Sequence, residues 1–148
     1  MLIDKLRELP HFLDNEYLCQ YARLIEIHSN RGSRKSLTNE HHIVPRSWFK
    51  IMQQEVDNSP HNLVTLTYRE HVLAHYFLCL CTSGDLQFAN ELALVGLLNR
   101  KCMTESNRQL VKHLPLYNTI YESYIKHRKS NYQLYKGNKW LQEGLLKK

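Results

Sequence analysis

The sequence lacks the features that mark membrane, secreted and repetitive proteins. None of its apolar runs is long enough to cross a bilayer as a helix, so we expect no membrane partner. Residues 1–5 do not follow the basic-then-apolar order of a secretory signal peptide. No internal repeat and no low-complexity segment is present. These absences predict a cytoplasmic protein, and a length of 148 residues fits a single domain over 1–148.

Cysteine is sparse and is not spaced for cross-linking. The four cysteines, Cys19, Cys79, Cys81 and Cys102, form neither a C-x-x-C pair nor the dense framework of a small secreted domain. A chain of this length buries enough apolar surface to fold without disulfides. We therefore expect reduced, partly buried thiols.

Acidic residues are few in the last third of the chain. Residues 100–148 hold 11 Lys and Arg against three Asp and Glu, a net charge of +8, whereas residues 1–99 hold nine against 11, a net charge of −2. A smaller basic stretch runs from Arg31 to Lys50, with Glu40 as its one acid. This asymmetry favours a polyanionic partner, usually nucleic acid, although a solvated basic face explains the charge equally well.

The hydrophobic pattern predicts an α+β protein that is mostly helical. Apolar residues three and four positions apart indicate helices, and short runs bounded by turn residues indicate strands. Two short strands in the middle of the chain are expected to pair as an antiparallel hairpin. The first predicted elements are a helix over 2–9, a helix capped by Asp14 or Asn15 and running to about His28, a basic loop over 29–39, a strand over 41–44, a connection over 46–61 and a strand over 63–66.

A capping box predicts where the next helix begins. In the segment Thr67-Tyr68-Arg69-Glu70, the Thr hydroxyl and the Glu carboxylate can satisfy free backbone N–H groups reciprocally. This helix is expected to run to about Thr82, with Gly84 as its stop. The remaining predicted elements are a core helix over 86–99, a short helix over 105–113, a long helix over 116–135 whose Tyr117, Tyr121 and Tyr124 are expected to pack in the core, and a basic tail over 136–148.

The strand–loop–strand–helix unit, residues 40–83, lies between N-terminal helices over 1–39 and C-terminal helices over 84–148, and four histidines lie on its first strand and its helix. His71 and His75 are four apart on the predicted helix, so both rings lie on one face. His41 and His42 are adjacent on a strand, so their side chains point to opposite sides. Three imidazoles can hold a metal ion and leave a coordination position open, and a fourth can move a proton near neutral pH. Together they indicate a hydrolytic metal site, although each pair alone is also typical of a partly exposed face.

Asn62 precedes the second predicted strand. An amide at this position is a common turn residue, but it can also hydrogen-bond the backbone or ring of a catalytic residue and orient it. Its neighbour His61 is expected to be a loop residue.

Three segments carry a family resemblance: Glu40-His41-His42-Ile43-Val44-Pro45, Asn62-Leu63-Val64-Thr65-Leu66, and Glu70-His71 through His75. Together they resemble the HNH endonucleases of the ββα-metal class, above all the small HNH nucleases of bacteriophages, many of which are homing endonucleases. In that group the pattern is roughly a Lys/Glu-His-His-Ile-x-Pro strand, an Asn-Leu-Val-x-Leu-Thr strand and a helix with Glu-His-x-x-Ala-His. All three parts match, and the similarity covers about residues 15–100.

The resemblance implies a metal-dependent DNA endonuclease, of homing or nicking type, built on a ββα-metal motif. His42 matches the family's general base, and Asn62 matches the middle Asn of the family name. His41, His71 and His75 match its metal ligands. The implied chemistry is proton removal from an attacking water by the base, with one divalent ion stabilising charge on the phosphate and the leaving oxygen.

The implied cofactor is a single divalent metal ion. An all-imidazole site suits Zn²⁺ better than Mg²⁺, which prefers oxygen ligands. Because the phosphate itself supplies oxygen, Mg²⁺ or Mn²⁺ is an alternative working ion.

Double-stranded DNA is the implied partner, bound by a monomer or a homodimer in the cytoplasm of the host cell. Arg46, Lys50 and Arg69 lie close enough in sequence to the histidines to clamp flanking phosphates. The basic C-terminal region is expected to hold DNA through phosphate contacts, which give affinity without reading sequence. Its candidate DNA-binding residues are Lys126, Arg128, Lys129, Lys136 and Lys139.

Two other functions stay open. One is a non-catalytic zinc-containing module that binds nucleic acid. Structural zinc sites are usually closed by four ligands with Cys among them, and none of the cysteines is spaced to join the histidines, which argues against this function. The other is a nuclease that acts on RNA, or on DNA without sequence preference.

Overall fold

Helices dominate the protein. The computed structural model describes residues 1–29, 38–101 and 103–130. These residues form seven α-helices and one two-stranded antiparallel sheet, which confirms an α+β class that is mostly helical. In chain order the elements are α1 (Leu2–Arg7), α2 (Glu16–His28), β1 (Thr38–His42), α3 (Arg46–Ile51), a 3-10 turn (Pro60–Asn62), β2 (Leu63–Thr67), α4 (Tyr68–Cys81), α5 (Gly84–Leu98), α6 (Glu105–Lys112) and α7 (Tyr117–Ser130). Among the helices in this part of the chain, none has the length and apolar character needed to span a bilayer.

Side-chain caps start α2 and α4 where the sequence predicts. The side-chain oxygen of Asn15 accepts from the backbone N–H groups of Tyr17 and Leu18, and its amide donates to the Leu80 carbonyl at 3.0 Å. That last bond ties the start of α2 to the end of α4. The capping box of α4 is formed, with both the Thr67 hydroxyl and the Glu70 carboxylate accepting from the partner's backbone N–H.

The main departure from the predicted elements is α3, Arg46–Ile51, which lies in the segment expected to be a connection. Pro45 occupies its N-cap position, and Trp48 and Phe49 are buried. The indole of Trp48 donates to the Pro10 carbonyl at 3.0 Å. A helix of six residues is too short to be stable by itself, so tertiary burial rather than a local pattern stabilises it.

Other boundaries differ by a few residues. The first strand is Thr38–His42, so it begins inside the segment predicted as a loop and ends before Pro45. Gly84, expected to end α4, has a φ of +61° and stands at the start of α5, while Thr82 is the C-cap of α4. Of the predicted tyrosine core, two members are buried, but Tyr121 is exposed. The rest of the predicted basic loop, the end of the last predicted helix and the basic tail lie outside the described residues.

The α4 helix is the centre of the core. One side of it, including Ala74 and Leu78, packs with α2, α3 and the sheet. The opposite side, including Val72 and Tyr76, packs with residues of α5, α6 and α7. A helix covered on both sides has little exposed surface, which accounts for the burial of its two histidines.

The Asn62 side chain links the backbone after β1 to the segment before β2. It is 5% exposed, and its amide oxygen accepts from the Val44 N–H at 2.8 Å. Its amide nitrogen donates to the carbonyls of Val44 at 3.1 Å and Asp57 at 3.0 Å. The contacts go to the backbone, so Asn62 fixes the path of the chain just after His42.

Asn62→Ala is expected to lower the free energy of unfolding by about 2 to 4 kcal/mol, because three partly buried backbone groups lose their partner. Asn118→Ala, at an exposed position of α7, is the matched control and should change it by less than about 0.5 kcal/mol. Urea denaturation of both variants measures the difference. Equal midpoints for the two variants would show that the Asn62 bonds contribute no net stability.

Candidate metal centre

Three buried imidazoles converge on one point. His41 comes from β1, and His71 and His75 come from successive turns of α4. One ring nitrogen from each lies within 4.8 Å of the others, and the ring centroids are 5.0 to 5.1 Å apart. These three side chains are the set that the sequence resemblance implies as metal ligands. The cluster can hold a metal ion.

Tyr21 determines which nitrogen of His41 is free. The Tyr21 hydroxyl donates its single proton to the Ile43 carbonyl at 2.6 Å. Its oxygen can then only accept from Nε2 of His41, which lies 2.7 Å away. Nε2 of His41 therefore carries the hydrogen, and Nδ1 keeps its lone pair. Burial raises the pKa of Tyr21 well above its usual value, so this hydroxyl stays protonated.

Two asparagines orient the other rings in the same way. Nδ1 of His71 lies 3.2 Å from the side-chain oxygen of Asn39, and Nδ1 of His75 lies 3.1 Å from that of Asn90. An amide oxygen only accepts, so both Nδ1 atoms carry hydrogen and both Nε2 atoms keep a lone pair. The Asn90 amide nitrogen donates to the Leu86 carbonyl at 3.0 Å, which holds the amide with its oxygen toward His75.

The electrostatic environment keeps all three rings neutral. Burial, the largest cause in each case, lowers the pKa of His41 well below its usual value, that of His71 to about 2 and that of His75 to about 4. For His75 the hydrogen bond with Asn90 offsets part of this effect, and the positive charge of Arg100 adds to the lowering for His71 and His75. Neutral imidazole is the ligating form, so the donor set fits a metal ion without first losing protons.

His42 lies on the opposite side of β1 from His41 and is half-buried. Its Nε2 is 2.8 Å from the side-chain oxygen of Asn58, so Nε2 carries the hydrogen and Nδ1 keeps a lone pair that can accept a proton. His42 and the three clustered histidines line one cleft. Asn58 lies in the segment predicted as a connection, and its contact with a ring 16 residues away has no local sequence signal.

The candidate phosphate-binding residues separate into two groups. Arg46 lines the cleft, together with Glu40 and with Arg100, which no sequence motif indicated. Lys50 and Arg69 are exposed but lie outside the cleft lining. The predicted DNA-binding residues of the last helix, Lys126, Arg128 and Lys129, are exposed near the C-terminal end of α7, whereas Lys136 and Lys139 lie outside the described residues.

Comparison with known proteins identifies no relative: no protein-family model, no curated protein and no solved structure matches the chain.

Metal binding should depend on both a ligand and the residue that orients it. His75→Ala removes a donor and is expected to weaken Zn²⁺ binding by on the order of 100-fold or more. Tyr21→Phe keeps the packing but removes the acceptor for His41, and such losses weaken affinity about 10- to 100-fold. Isothermal titration calorimetry with Zn²⁺ as the probe measures both.

Two exposed positions provide matched controls, His61→Ala for the ligand change and Tyr121→Phe for the orienting residue. Both controls should bind one equivalent of Zn²⁺ as tightly as the wild type. Wild-type affinity in His75→Ala would contradict the three-histidine site, and wild-type affinity in Tyr21→Phe would contradict the orienting bond.

The metal-free protein should lose stability as the pH falls below about 6.5. In the folded state the pKa values of His71 and His75 are lowered to about 2 and about 4, so the unfolded chain binds more protons than the folded one below pH 6.5. The free energy of unfolding therefore has its full value above that pH, and below it decreases by up to about 1.4 kcal/mol per pH unit for each such group.

Urea denaturation in EDTA between pH 7.5 and 5 measures how steeply the free energy of unfolding falls with pH. His75→Gln should flatten this slope, while His61→Gln should leave it unchanged. Equal slopes in all three proteins would refute a buried neutral His75.

Proposed function

We propose that the protein is an HNH endonuclease that hydrolyses phosphodiester bonds of DNA. In this proposal His42 is the general base, and His41, His71 and His75 hold a single divalent ion. The observation that supports it most is the convergence of three buried imidazoles in a cleft that His42 also lines. Hydrogen bonds occupy one nitrogen of each clustered histidine and leave the other free, and each ring offers one nitrogen within 4.8 Å of the others. His42 lines the same cleft and also keeps one free nitrogen.

The sequence resemblance supports the same proposal. The three matching segments correspond to β1, β2 and the start of α4, in the order strand, strand, helix. The resemblance is to phage nucleases of homing or nicking type, which makes a phosphodiester the expected substrate.

The chemistry follows from the protonation states of the side chains. A phosphodiester is an anion that resists attack by neutral water. With Nε2–H engaged by Asn58, Nδ1 of His42 can remove a proton from the attacking water, and the Asn58 oxygen stabilises the imidazolium that forms. When bound, a divalent ion supplies the positive charge that stabilises a non-bridging phosphate oxygen and the leaving 3′ oxygen. The expected products have 5′-phosphate and 3′-hydroxyl ends.

The donor atoms favour Zn²⁺ as the bound ion. Three imidazole nitrogens match its preferences, whereas Mg²⁺ and Mn²⁺ would rely on oxygen from the substrate phosphate. Cys79 and Cys81 do not belong to the cluster. Burial raises the pKa of the Cys79 thiol well above its usual value and that of Cys81 to about 12, so both remain thiols. A three-histidine set supports a site with an open position rather than a structural zinc module closed by cysteine.

Exposed basic residues support a nucleic acid as the partner. Arg46 is at the cleft, and Lys50 and Arg69 are exposed on neighbouring helices. The last turns of α7 carry Lys126, Arg128 and Lys129. Such groups bind phosphates irrespective of base sequence, so they favour DNA without specifying a target.

Supercoiled plasmid cleavage tests the proposal. The wild-type protein should cut with Mg²⁺, Mn²⁺ or Zn²⁺, and His42→Ala should reduce the rate about 10²- to 10⁴-fold because the general base is lost. The same variant should bind Zn²⁺ with wild-type affinity, since His42 is not a ligand. His61→Ala is the matched control and should cut normally.

Each alternative outcome has a distinct meaning. Normal cutting by His42→Ala would eliminate His42 as the base. Tight DNA binding without cleavage by the wild type, under every ion, would favour the non-catalytic zinc module. Cleavage of RNA but not of plasmid would make the protein an RNA-directed nuclease.

A further inference from the structure

The cleft has a cationic side chain that lies outside the strand–strand–helix unit. Arg100 is two residues beyond the end of α5, and it lines the cleft together with His71 and His75. The geometry of the cleft therefore puts Arg100 near the candidate metal ligands.

The backbone that carries Arg100 is held by hydrogen bonds. Arg108 of α6 donates from Nε to the Leu98 carbonyl at 2.7 Å and from Nη2 to the Arg100 carbonyl at 3.0 Å. The backbone N–H of Arg100 donates to the Leu97 carbonyl at 3.2 Å, and that of Met103 donates to the Arg100 carbonyl at 3.1 Å. The side chain of Arg100 thus extends from a turn whose position is set by α5 and α6.

The charge of Arg100 is not balanced by a carboxylate within the described ranges. No ion pair joins it to an acidic residue there, and the one acid of the cleft lining is Glu40. With Arg46 and Arg100 against Glu40, the lining has a net charge of +1 before any ion binds. A divalent cation would increase this repulsion. An anion bound between the ion and the guanidinium groups would relieve it.

We propose that Arg100 binds the phosphodiester to be cleaved, donating to its non-bridging oxygens from the side of the cleft formed by the α5–α6 turn. The inference rests on the proposed nuclease function. A guanidinium presents two parallel N–H groups that match two phosphate oxygens. Negative charge grows on these oxygens as water attacks, so the contact strengthens in the transition state and raises the rate as well as the affinity. Arg46, on α3, would bind from another wall of the cleft.

Two substitutions separate charge from geometry. Arg100→Gln removes the charge at similar length, and Arg100→Lys keeps the charge but loses the planar pair of donors. Lys101→Gln is the matched control, because it removes one charge from the adjacent exposed position. Three quantities are measured for each: Zn²⁺ affinity, the affinity of the Zn²⁺-loaded protein for inorganic phosphate, and the rate of plasmid cleavage. Thermal melts establish that each variant is folded.

For Arg100→Gln we expect Zn²⁺ affinity equal to or above that of the wild type, because a cation near the ligands is gone. Phosphate affinity should fall about tenfold, and the cleavage rate about 10²- to 10³-fold. Arg100→Lys should lie between this variant and the wild type. Lys101→Gln should stay within about threefold of the wild type in all three measurements, as expected for the loss of one exposed charge.

The failure of this inference differs from the failure of the proposed function. If the wild type cuts DNA and Arg100→Gln matches Lys101→Gln in rate and phosphate affinity, the role of Arg100 is refuted while the nuclease stands. Loss of Zn²⁺ binding in Arg100→Gln would also refute it, since the residue would then support the ligands. If the wild type does not cut DNA, a selective loss of phosphate affinity in Arg100→Gln would still identify Arg100 as an anion-binding residue.

Discussion

The whole arrangement depends on hydrogen bonds that hold three buried, neutral imidazoles and leave one nitrogen of each free. The acceptors are Tyr21 of α2, Asn39 of β1 and Asn90 of α5, so each ring is oriented from a different part of the fold. A buried polar ring without a partner would cost free energy, and a ring with its partner on the wrong nitrogen could not ligate. The packing of α2 and α5 against α4 is therefore needed to orient the histidines for metal binding, as well as to form the core.

A second pair of amides serves the other side of β1. Asn58 and Asn62 are four residues apart in the segment before β2. Asn62 secures the backbone that follows His42, and Asn58 contacts the His42 ring itself. The strand thus separates two tasks: one side faces the candidate metal position, and the other presents a single proton acceptor. Alternation along two consecutive residues, His41 and His42, is sufficient to make that separation.

The sequence predicted those parts of the site that follow from local periodicity. Strand alternation and the four-residue spacing of His71 and His75 indicated that these histidines could meet, and the capping box predicted the start of α4. The choice of His41 over His42 as the third member came from the family resemblance. The orienting residues could not be predicted in the same way. Tyr21 lies 20 residues from its ring partner and Asn90 lies 15, and each has an ordinary place in a helix pattern. Helix α3 was missed for a related reason, because its stability comes from burying two aromatic rings in a core that local pattern does not describe.

Because α5 contributes to the candidate metal centre, the strand–strand–helix unit cannot be transferred to another protein by itself. A segment ending at residue 83 would contain every clustered histidine, yet His75 would lose the Asn90 acceptor, and Val72 and Tyr76 of α4 would lose the apolar cover that α5 provides. Such a segment would lack contacts that its own metal centre needs. A recombination event that transfers residues 40–83 must also transfer α5. Otherwise the recipient protein must itself supply an amide acceptor for His75 and an apolar surface for α4.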